Sequence, residues 1–325
     1  MKPSLRILRA SPRGFCAGVV RAIETVEAAL HEYGPPVYAR HAIVHNPDVL
    51  ASFERRGVIF VEELDEVPDD AIVIFSAHGV ACRVTAEARE RLLTAIDATC
   101  PLVSKVHSEV RHHVAAGRDV LLIGHPGHPE VVGTVGQVGR GRVHVVPDRQ
   151  TALALPVDTE KAYGLAMQTT LSVADAAAIV AALQERFPDL HGPASDDICY
   201  ATTNRQHAVR LLAPRCDAFL VLGGYNSSNS RRLAEVAEAA GCPRVRLLER
   251  PEELPMAWLD GVRILGLSSG ASTPETAMEA LIAWLRDGFD VGLEELRAAD
   301  ESIRFGLPAL PPHARGGAGP RGRAP

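Results

Sequence analysis

Two kinds of segment, which differ in the spacing of their hydrophobic and polar residues, alternate along the chain. Short apolar runs rich in β-branched residues predict strands, and longer amphipathic runs predict helices. The predicted strands are Val58–Val61, Ile72–Phe75, Val120–Ile123, Val143–Val146, Tyr163–Met167, Ala218–Leu222 and Arg263–Leu267. The predicted helices are Val20–His31, Thr85–Ala95, Val103–Ala116, Val173–Arg186, Arg205–Ala213, Ser230–Ala240 and Pro274–Arg286. This alternation predicts an α/β fold with parallel strands and helical crossovers, divided into two or three small sheets.

Nearly every predicted strand runs into a cluster of small polar residues and histidines at its carboxyl end. The clusters are Ser76-Ala77-His78-Gly79, Gly124 to Glu130, Gln168-Thr169-Thr170, Gly223 to Ser230 and Ser268 to Ser272. Ligands of open α/β sheets bind outside the carboxyl ends of the strands. Repetition of the pattern in one chain predicts several sheets whose loops face a shared central site.

The chemistry of these loops predicts an anionic ligand. The loops around Ser227–Asn229 and Ser272 lead into helices, and His45-Asn46-Pro47 and His128-Pro129-Glu130 look like helix starts. Free N–H groups and the helix dipole favour anions at such starts. Donors of the His, Ser, Thr and Asn types predict a phosphate or diphosphate. Because the chain has neither a Walker A sequence nor G-x-G-x-x-G, ATP and NAD are poorly supported.

Each of these residues also has an ordinary structural interpretation. A single Ser or Asn after a strand is more often a helix cap, and a single His is more often structural, so the hypothesis depends on the whole set. Glu130 lies beside His125 and His128 in a glycine-punctuated loop, where a carboxyl group can transfer protons. The residues alone leave a functional and a structural role for Glu130 equally open.

Composition and charge narrow the class of protein. With 325 residues, 46% hydrophobic and 23% charged, the chain is typical of soluble globular proteins. A net charge of −6 gives no support for nucleic-acid binding, which usually needs a basic face. The N-terminus lacks the apolar core of a signal peptide, and no stretch approaches the roughly 18 apolar residues of a membrane span. We expect a cytoplasmic protein without nucleic-acid or membrane partners.

The C-terminal segment from Pro308 onward changes in character. Proline, glycine and arginine dominate residues 308–325. Because such a composition cannot bury a core, we expect a disordered tail. Contact between its arginines and an acidic partner is the less favoured alternative to a simply solvated tail.

The six cysteines divide into two groups by context. Cys16, Cys100 and Cys199 lie at element boundaries among polar, Gly or Pro residues. The others, Cys82, Cys216 and Cys242, have the context of ordinary thiols. Three disulfides are a weak alternative, because cytosolic thiols stay reduced. Without a Cys-x-x-Cys pair, the residues leave a shared metal site for the first three as one hypothesis among others.

A series of motifs resembles the LytB family of 4-hydroxy-3-methylbut-2-enyl diphosphate reductases from about Leu5 to Leu307. The motifs are Arg13 to Val19, His41 to Asn46, Ser76 to Val80, Asp97 to His107, Gly127 to Val131, Gln168 to Val173, Asp196 to Gln206, Asn226 to Ser230 and Gly270-Ala271-Ser272. Their number and order make the resemblance specific. One departure is Val20, where the commonest form of the first motif has an acidic residue.

The resemblance implies a fold and a cofactor. It implies three pseudo-symmetric α/β domains with small, mostly parallel sheets around a central cavity. Cys16, Cys100 and Cys199 would bind a [4Fe–4S] cluster that leaves one iron without a cysteine ligand. We expect the first domain at 1–100 with Cys16 and Cys100, the second at 101–196 and the third at 197–290 with Cys199. Residues 291–307 would form a C-terminal segment before the tail.

The resemblance also implies a reaction and roles for single residues. The reaction is a two-electron reductive dehydroxylation that yields isopentenyl and dimethylallyl diphosphate, with ferredoxin or flavodoxin as the expected electron donor. Glu130 would supply a proton, Thr169 would relay or orient it, and His128 would lie near the substrate on its diphosphate side. The diphosphate would be held by His45, His78, Ser227, Ser228, Asn229 and Ser272.

Two other function classes stay open at this stage. A zinc or other mononuclear metal hydrolase would use His45, His78, His128 and Glu130 as ligands. A non-catalytic phospholigand-binding regulator would use only the Ser and Asn loops. The first leaves the three loop cysteines unexplained, and the second also leaves Glu130 and Thr169 without a role.

Overall fold

All the strands in the described part of the computed structural model, residues 2–158, 160–193 and 196–312, pair in parallel. The strands are β1 Ser4–Ser11, β2 Val37–Arg40, β3 Val58–Val61, β4 Ile72–Phe75, β5 Thr94–Asp97, β6 Asp119–Ile123, β7 Val143–Val146, β8 Tyr163–Met167, β9 Ala218–Leu222, β10 Val245–Leu248, β11 Ile264–Ser269 and β12 Asp290–Arg297. The helices are α1 Ala17–Tyr33, α2 Pro47–Glu54, α3 Cys82–Glu90, α4 Pro101–Ala115, α5 Pro129–Val135, α6 Arg149–Ala154, α7 Val173–Arg186, α8 Tyr200–Leu212, α9 Ser228–Ala239 and α10 Glu275–Gly288.

The strands form three sheets with the same internal order. One has the order β3-β2-β4-β5, the second β7-β6-β8, and the third β10-β9-β11-β1-β12. In the second sheet, an isolated parallel bridge between Gly164 and His191 occupies the position of a fourth strand beside β8. The three sheets therefore repeat one pattern, which agrees with the predicted α/β class and pseudo-symmetry.

The sheets do not follow the predicted domain limits at two points. Strand β1 pairs with β11 and β12, so residues 4–11 belong to the third sheet and not to a first domain at 1–100. Strand β12 extends the same sheet, although residues 291–307 were expected to be a separate segment. The chain begins with the fourth strand of a sheet whose other strands come last, an arrangement that no local pattern in the sequence reveals.

Helices cover both faces of each sheet. The five-stranded sheet packs on α10 through Leu220, Leu265 and Leu281, and its other face packs on α8 and α9. The second sheet packs similarly between α7 on one side and α4 and α5 on the other. Because both faces are buried, central strands such as β6 and β9 are buried at every residue. This packing holds the strands of each sheet in place, and the loops that follow their carboxyl ends extend from this packed framework.

The predicted elements agree with the structure best where the apolar runs are continuous. Strands β3, β4, β7, β8 and β9 and helix α7 have their predicted bounds. The helix predicted at Thr85–Ala95 is wrong beyond Glu90, because Leu92 has a positive φ of 55° and β5 begins at Thr94. The described helices include no span that is both long and apolar enough to cross a membrane.

The segment that follows β12 returns to the four-stranded sheet. Leu310 packs against the core beneath α1, and the Tyr33 hydroxyl donates a hydrogen bond to the Pro311 carbonyl at 2.6 Å. The prediction of a disordered tail is therefore wrong for residues 308–312, which are held by the packing of Leu310 and by the hydrogen bond to Pro311. The rest of the predicted tail, 313–325, lies outside the described residues.

Candidate functional site

One cavity at the centre of the three sheets collects the predicted site residues. Its volume of about 110 Å³ far exceeds the roughly 10–15 Å³ that a single water needs. The predicted residues in its wall are Cys16, His45, His78, Cys100, His128, Glu130, Thr169, Cys199, Ser227, Ser228, Asn229 and Ser272. The apolar part of the wall includes Val19, Ile43, Leu102 and Val103. The expectation of a shared central site formed by loops of several sheets is thus met.

The three cavity cysteines occupy equivalent positions. Cys16, Cys100 and Cys199 are the N-caps of α1, α4 and α8, the crossover helices that leave one sheet and lead to the next. Each backbone N–H donates to a carbonyl in a loop that follows a neighbouring strand. These bonds run from Cys16 to Ala271 at 3.2 Å, from Cys100 to Ala77 at 3.0 Å and from Cys199 to Thr169 at 3.1 Å. The positive ends of three helix dipoles therefore face the cavity at the thiols.

Burial is the main reason that the thiols of Cys100 and Cys199 stay protonated. It raises the pKa of Cys100 to about 12 and the pKa of Cys199 to about 11. The Cys199 thiol also lies 3.2 Å from the Thr202 hydroxyl. A bound metal centre supplies the positive charge that such thiols need to become thiolates. The space around them is closely fitted, since a Cβ atom on Gly18 would come within 2.7 Å of the Cys100 sulfur.

The donor set fits an iron–sulfur cluster better than a single ion. Within the part of the chain that the structure describes, no group of three or more His, Cys, Asp or Glu side chains could hold one metal ion. The mononuclear hydrolase hypothesis, which requires such a group, therefore has no support. A cluster several ångströms across separates its thiolates more widely, and three cysteines converging on one cavity supply the soft ligands that it requires.

The remaining cysteines lie elsewhere, as expected for ordinary thiols. Cys216 and Cys242 are buried together in the core between the five-stranded sheet and α8 and α9. Cys82 is exposed at the start of α3. All six cysteines are free thiols in the structure.

Glu130 is held in the cavity by Thr169. Its side chain is only 2% exposed. One carboxylate oxygen accepts the Thr169 backbone N–H at 2.7 Å, and the other accepts the Thr169 hydroxyl at 3.0 Å. Burial nevertheless raises the pKa of Glu130 to about 7, with a smaller contribution from the charge of Asp197. Near neutral pH this carboxyl group can therefore both hold and release a proton, which is the property that a proton donor needs.

Three histidines form a neutral wall of the cavity. The ring centroids of His45 and His78 are 4.4 Å apart, and those of His78 and His128 are 5.8 Å apart. Burial lowers the pKa of all three, to about 4 for His128. Because Nδ1 of His128 accepts the Glu130 backbone N–H at 3.2 Å, its proton resides on Nε2. Both ring nitrogens of His45 are buried without a hydrogen-bond partner, which leaves it free to bind a ligand.

The Ser/Asn loop presents a second set of donors at the start of α9. Ser227 caps this helix by accepting the Ser230 N–H at 3.3 Å. Asn229 uses its carbonyl oxygen to accept the Ala271 N–H at 3.0 Å, so its amide Nδ2 is buried without a partner. Across the cavity, the Ser272 hydroxyl donates to the His45 carbonyl at 3.0 Å. A side-chain amide without a hydrogen-bond partner, next to free N–H groups at a helix start, is a suitable donor set for a phosphate.

Some residues are placed differently from the sequence interpretation. His125 is not part of the described cavity wall, and its Nε2 lies 3.1 Å from Arg232. Thr202, Thr170 and Gly18 line the cavity but were not singled out. They lie within the recognised motifs, yet Thr and Gly carry no distinctive chemistry on their own, so only the fold reveals their contacts.

Known proteins with similar sequence share one description. A family model described as LytB protein matches residues 7–286. A 4-hydroxy-3-methylbut-2-enyl diphosphate reductase from Beijerinckia indica subsp. indica is 53% identical over 308 residues, which cover 94% of this chain and 97% of the relative. One from Gluconobacter oxydans is 52% identical, with 94% of this chain and 92% of the relative covered.

Solved structures give the same result. The E-1-hydroxy-2-methyl-but-2-enyl-4-diphosphate reductase from Plasmodium falciparum superposes with a TM-score of 0.90 at 38% identity, covering 94% of this chain and 96% of that one. A second structure, of (E)-4-hydroxy-3-methyl-but-2-enyl diphosphate reductase, the terminal enzyme of the non-mevalonate pathway, has a TM-score of 0.62 at 32% identity, covering 87% and 99%. The predicted fold class and family resemblance are confirmed.

Proposed function

The chain belongs to the LytB family, and on this basis we propose that it reduces (E)-4-hydroxy-3-methylbut-2-enyl diphosphate to isopentenyl diphosphate and dimethylallyl diphosphate. This is an oxidoreductase activity, the last step of the non-mevalonate isoprenoid pathway. The reaction consumes two electrons and two protons. The carbon–oxygen bond of the allylic hydroxyl breaks, one proton leaves with that oxygen as water, and the other is added to the carbon skeleton.

The observation that supports this function most directly is the content of the central cavity. It combines three helix-capping cysteines, a buried carboxyl group with a pKa of about 7, and unpartnered neutral donors. A phospholigand-binding regulator would need only the last of these. A reductive dehydroxylation uses all three, because it requires electrons, a proton donor and groups that bind the diphosphate.

Cys16, Cys100 and Cys199 would hold a [4Fe–4S] cluster in which one iron has no cysteine ligand. When bound, such a cluster supplies the electrons, and its open iron supplies a Lewis acid for the substrate hydroxyl. The chain contributes the thiol sulfurs, the dipoles of α1, α4 and α8, and an apolar wall that excludes water. Exclusion of water strengthens every electrostatic interaction in the cavity and limits side reactions.

Glu130 is the proposed proton donor to the leaving hydroxyl. Thr169 donates to both of its carboxylate oxygens, so it fixes the direction of the carboxyl group and stabilises the carboxylate left after proton transfer. The Thr169 hydroxyl would relay or orient that proton. His128 is tied to Glu130 through the backbone N–H and offers Nε2–H to the substrate on the diphosphate side.

The diphosphate would be bound mainly by neutral groups. His45, His78, His128, Ser272 and the loop Ser227–Asn229 provide side-chain donors, and the start of α9 provides free N–H groups. A buried neutral donor loses less hydration on binding than a buried cation does. Approach of the diphosphate charge raises the pKa of the histidines and so favours their protonation.

The chain needs an external source of electrons. A ferredoxin or flavodoxin is the proposed donor, since the sequence has no nicotinamide or flavin motif of its own. A reducing cytoplasm is the proposed location, because it keeps the six free thiols available for the cluster.

The decisive experiment is purification under exclusion of oxygen. We expect a brown protein with broad visible absorption, about four irons and four sulfides per chain, and reduction of the diphosphate substrate with a chemical electron donor. A colourless protein with stoichiometric zinc after the same procedure would overturn the proposal. Cys16→Ser should lose iron and activity, whereas Cys82→Ser, on the exposed surface, should retain both.

A further inference from the structure

A basic residue in the first turns of α1 holds the loop that precedes the next cysteine. Arg21 lies five residues after Cys16. Its guanidinium donates to the carbonyl of Thr99 at 2.8 Å and to that of Asp97 at 3.4 Å. Thr99 directly precedes Cys100, so a residue of the helix that begins at Cys16 is hydrogen-bonded to the backbone next to Cys100.

Helix α4 makes the same kind of contact with the third cysteine loop. Lys105 lies five residues after Cys100, and its ammonium group donates to the Asp196 carbonyl at 2.7 Å and to the Asp197 carboxylate at 3.2 Å. The Asp197 side chain is fully buried, and its other oxygen accepts the Met167 N–H at 2.9 Å. This contact therefore fixes the backbone just before Cys199 to the end of β8.

Helix α8 completes the series. Arg205 lies six residues after Cys199 and is fully buried. Its guanidinium donates to the Gly14 carbonyl at 2.8 and 3.2 Å and to the Phe15 carbonyl at 3.5 Å. An ion pair with Glu301 at 2.9 Å balances its charge. The loop that it holds is the one that leads directly to Cys16.

The three contacts link the three cysteine segments into a closed ring. The helix of Cys16 holds the loop of Cys100, the helix of Cys100 holds the loop of Cys199, and the helix of Cys199 holds the loop of Cys16. Each contact joins the helix that enters a sheet unit to the loop that leaves the same unit, and each ends on the one to three residues before a cysteine. We propose that Arg21, Lys105 and Arg205 form a ring of positioning residues that sets the mutual separation of the three cysteines.

This inference rests on the proposed cluster, because a fixed separation of the thiols matters only if they share one centre. None of the three cations belongs to the described wall of the cavity, so their role is to orient ligands and not to touch substrate. Residues that hold metal ligands in place without touching the metal strongly affect metal binding, since their loss typically lowers metal affinity about 10- to 100-fold. A closed ring makes the three contacts cooperative. Loss of one contact loosens all three cysteine loops, so loss of a second contact lowers metal affinity by a smaller further factor.

Arg21→Met is the most informative single change. Arg21 donates to backbone carbonyls, so this change should leave no buried charge uncompensated. The matched control is Arg244→Met, because Arg244 also donates to two backbone carbonyls, those of Trp258 and Asp260, both at 3.1 Å and far from the cysteine loops. After anaerobic reconstitution, we expect Arg21→Met to lose iron to a chelator about tenfold faster than wild type. Arg244→Met should stay within twofold of wild type.

A second pair of variants separates positioning from simple stabilisation. Lys105→Met should accelerate iron loss and change the electron paramagnetic resonance spectrum and midpoint potential of the reduced protein, whereas Lys105→Arg should restore all three. The double variant Arg21→Met/Lys105→Met should lose iron little faster than either single variant. A purely structural role would instead lower the melting temperature of the iron-free protein and leave the spectrum and potential of the loaded protein unchanged.

The outcomes are distinguishable. If wild type takes up no iron, the proposed function fails. If wild type is loaded and Arg21→Met and Lys105→Met match it in rate of iron loss, spectrum and potential, the ring has no positioning role and the inference is overturned. Should Arg21→Met fold poorly, as judged by circular dichroism, Arg21→Lys and the Lys105 variants test the same claim, because the Lys105 side chain is 29% exposed.

Discussion

Thr169 donates two hydrogen bonds to Glu130, one from its backbone and one from its hydroxyl, and a third group of Thr169, its carbonyl, accepts the backbone N–H of Cys199. One residue at the end of β8 thus orients both the proposed proton donor and a proposed cluster ligand. In the proposed mechanism, the same strand end would therefore set both electron delivery and proton delivery.

Replacing Glu130 by Gln should abolish proton donation without disturbing the cysteines. The amide has nearly the same shape and can still accept from Thr169, but it is not an acid. We expect kcat to fall by about 10²- to 10⁴-fold, with iron content and visible absorption unchanged. Glu238→Gln, on the exposed surface of α9, is the matched control and should be as active as wild type. Loss of colour in Glu130→Gln would show that Glu130 serves the metal site instead.

The pH dependence should report Glu130 directly. Burial raises its pKa from 4.5 to about 7, so the protonated, proton-donating fraction decreases as pH rises through about 7. The kcat/KM for the diphosphate substrate should therefore fall on the alkaline side. Because the raised pKa means that the folded state prefers the neutral acid, the associated stability is present below 4.5 and is lost as pH rises through 7. In Glu130→Gln, melting curves of the iron-free protein should lack this component.

Asn229→Asp tests the diphosphate-binding role of the Ser/Asn loop. The substitution keeps an oxygen for the Ala271 N–H and replaces the unpartnered Nδ2 donor with a second acceptor that carries negative charge. We expect the Kd for the diphosphate substrate to rise by roughly 10- to 100-fold, since a hydrogen bond to a charged group contributes about 1.5–3 kcal/mol. Calorimetric titration measures this change, and an unchanged Kd would place the diphosphate elsewhere in the cavity.

Gly18→Ala should prevent cluster assembly by crowding one ligand. The new methyl group would lie 2.7 Å from the Cys100 sulfur and must displace it. We expect reconstituted protein to contain less than half the iron of wild type, with unaltered helix content. Gly139→Ala is the control, because a Cβ atom there meets no neighbour within 4 Å, and it should load normally. Full iron content in Gly18→Ala would mean that the thiol can move without consequence.

The sequence predicted those features that depend on local pattern. Continuous apolar runs such as Ala218–Leu222 gave correct strand bounds because both faces of a parallel strand are buried. Polar clusters after these strands predicted the cavity, because parallel strands all end at one edge. Short strands such as Val37–Arg40, with few apolar residues, were not predicted from pattern.

Features that depend on contacts between residues far apart in the sequence could not be predicted from local pattern. Nothing near Ser4–Ser11 indicates that this strand pairs with Asp290–Arg297, since the pairing depends on the position of the whole third sheet. Likewise, the burial that raises the pKa of Glu130 arises from three sheets meeting, and the contact of Arg205 with Gly14 joins residues that are 191 positions apart in the sequence. Such relationships require the tertiary structure.

The position of β1 has a consequence for biogenesis. The ribosome synthesises Cys16 and its strand β1 well before β11 and β12, the strands with which β1 pairs. Domains usually fold as units during synthesis, from the N-terminus onward. The loop of Cys16, a proposed cluster ligand, is therefore fixed only after the residues of β12 have been synthesised, so we expect insertion of the proposed cluster to follow synthesis of the third sheet. Chains that stall before β12 should remain without it.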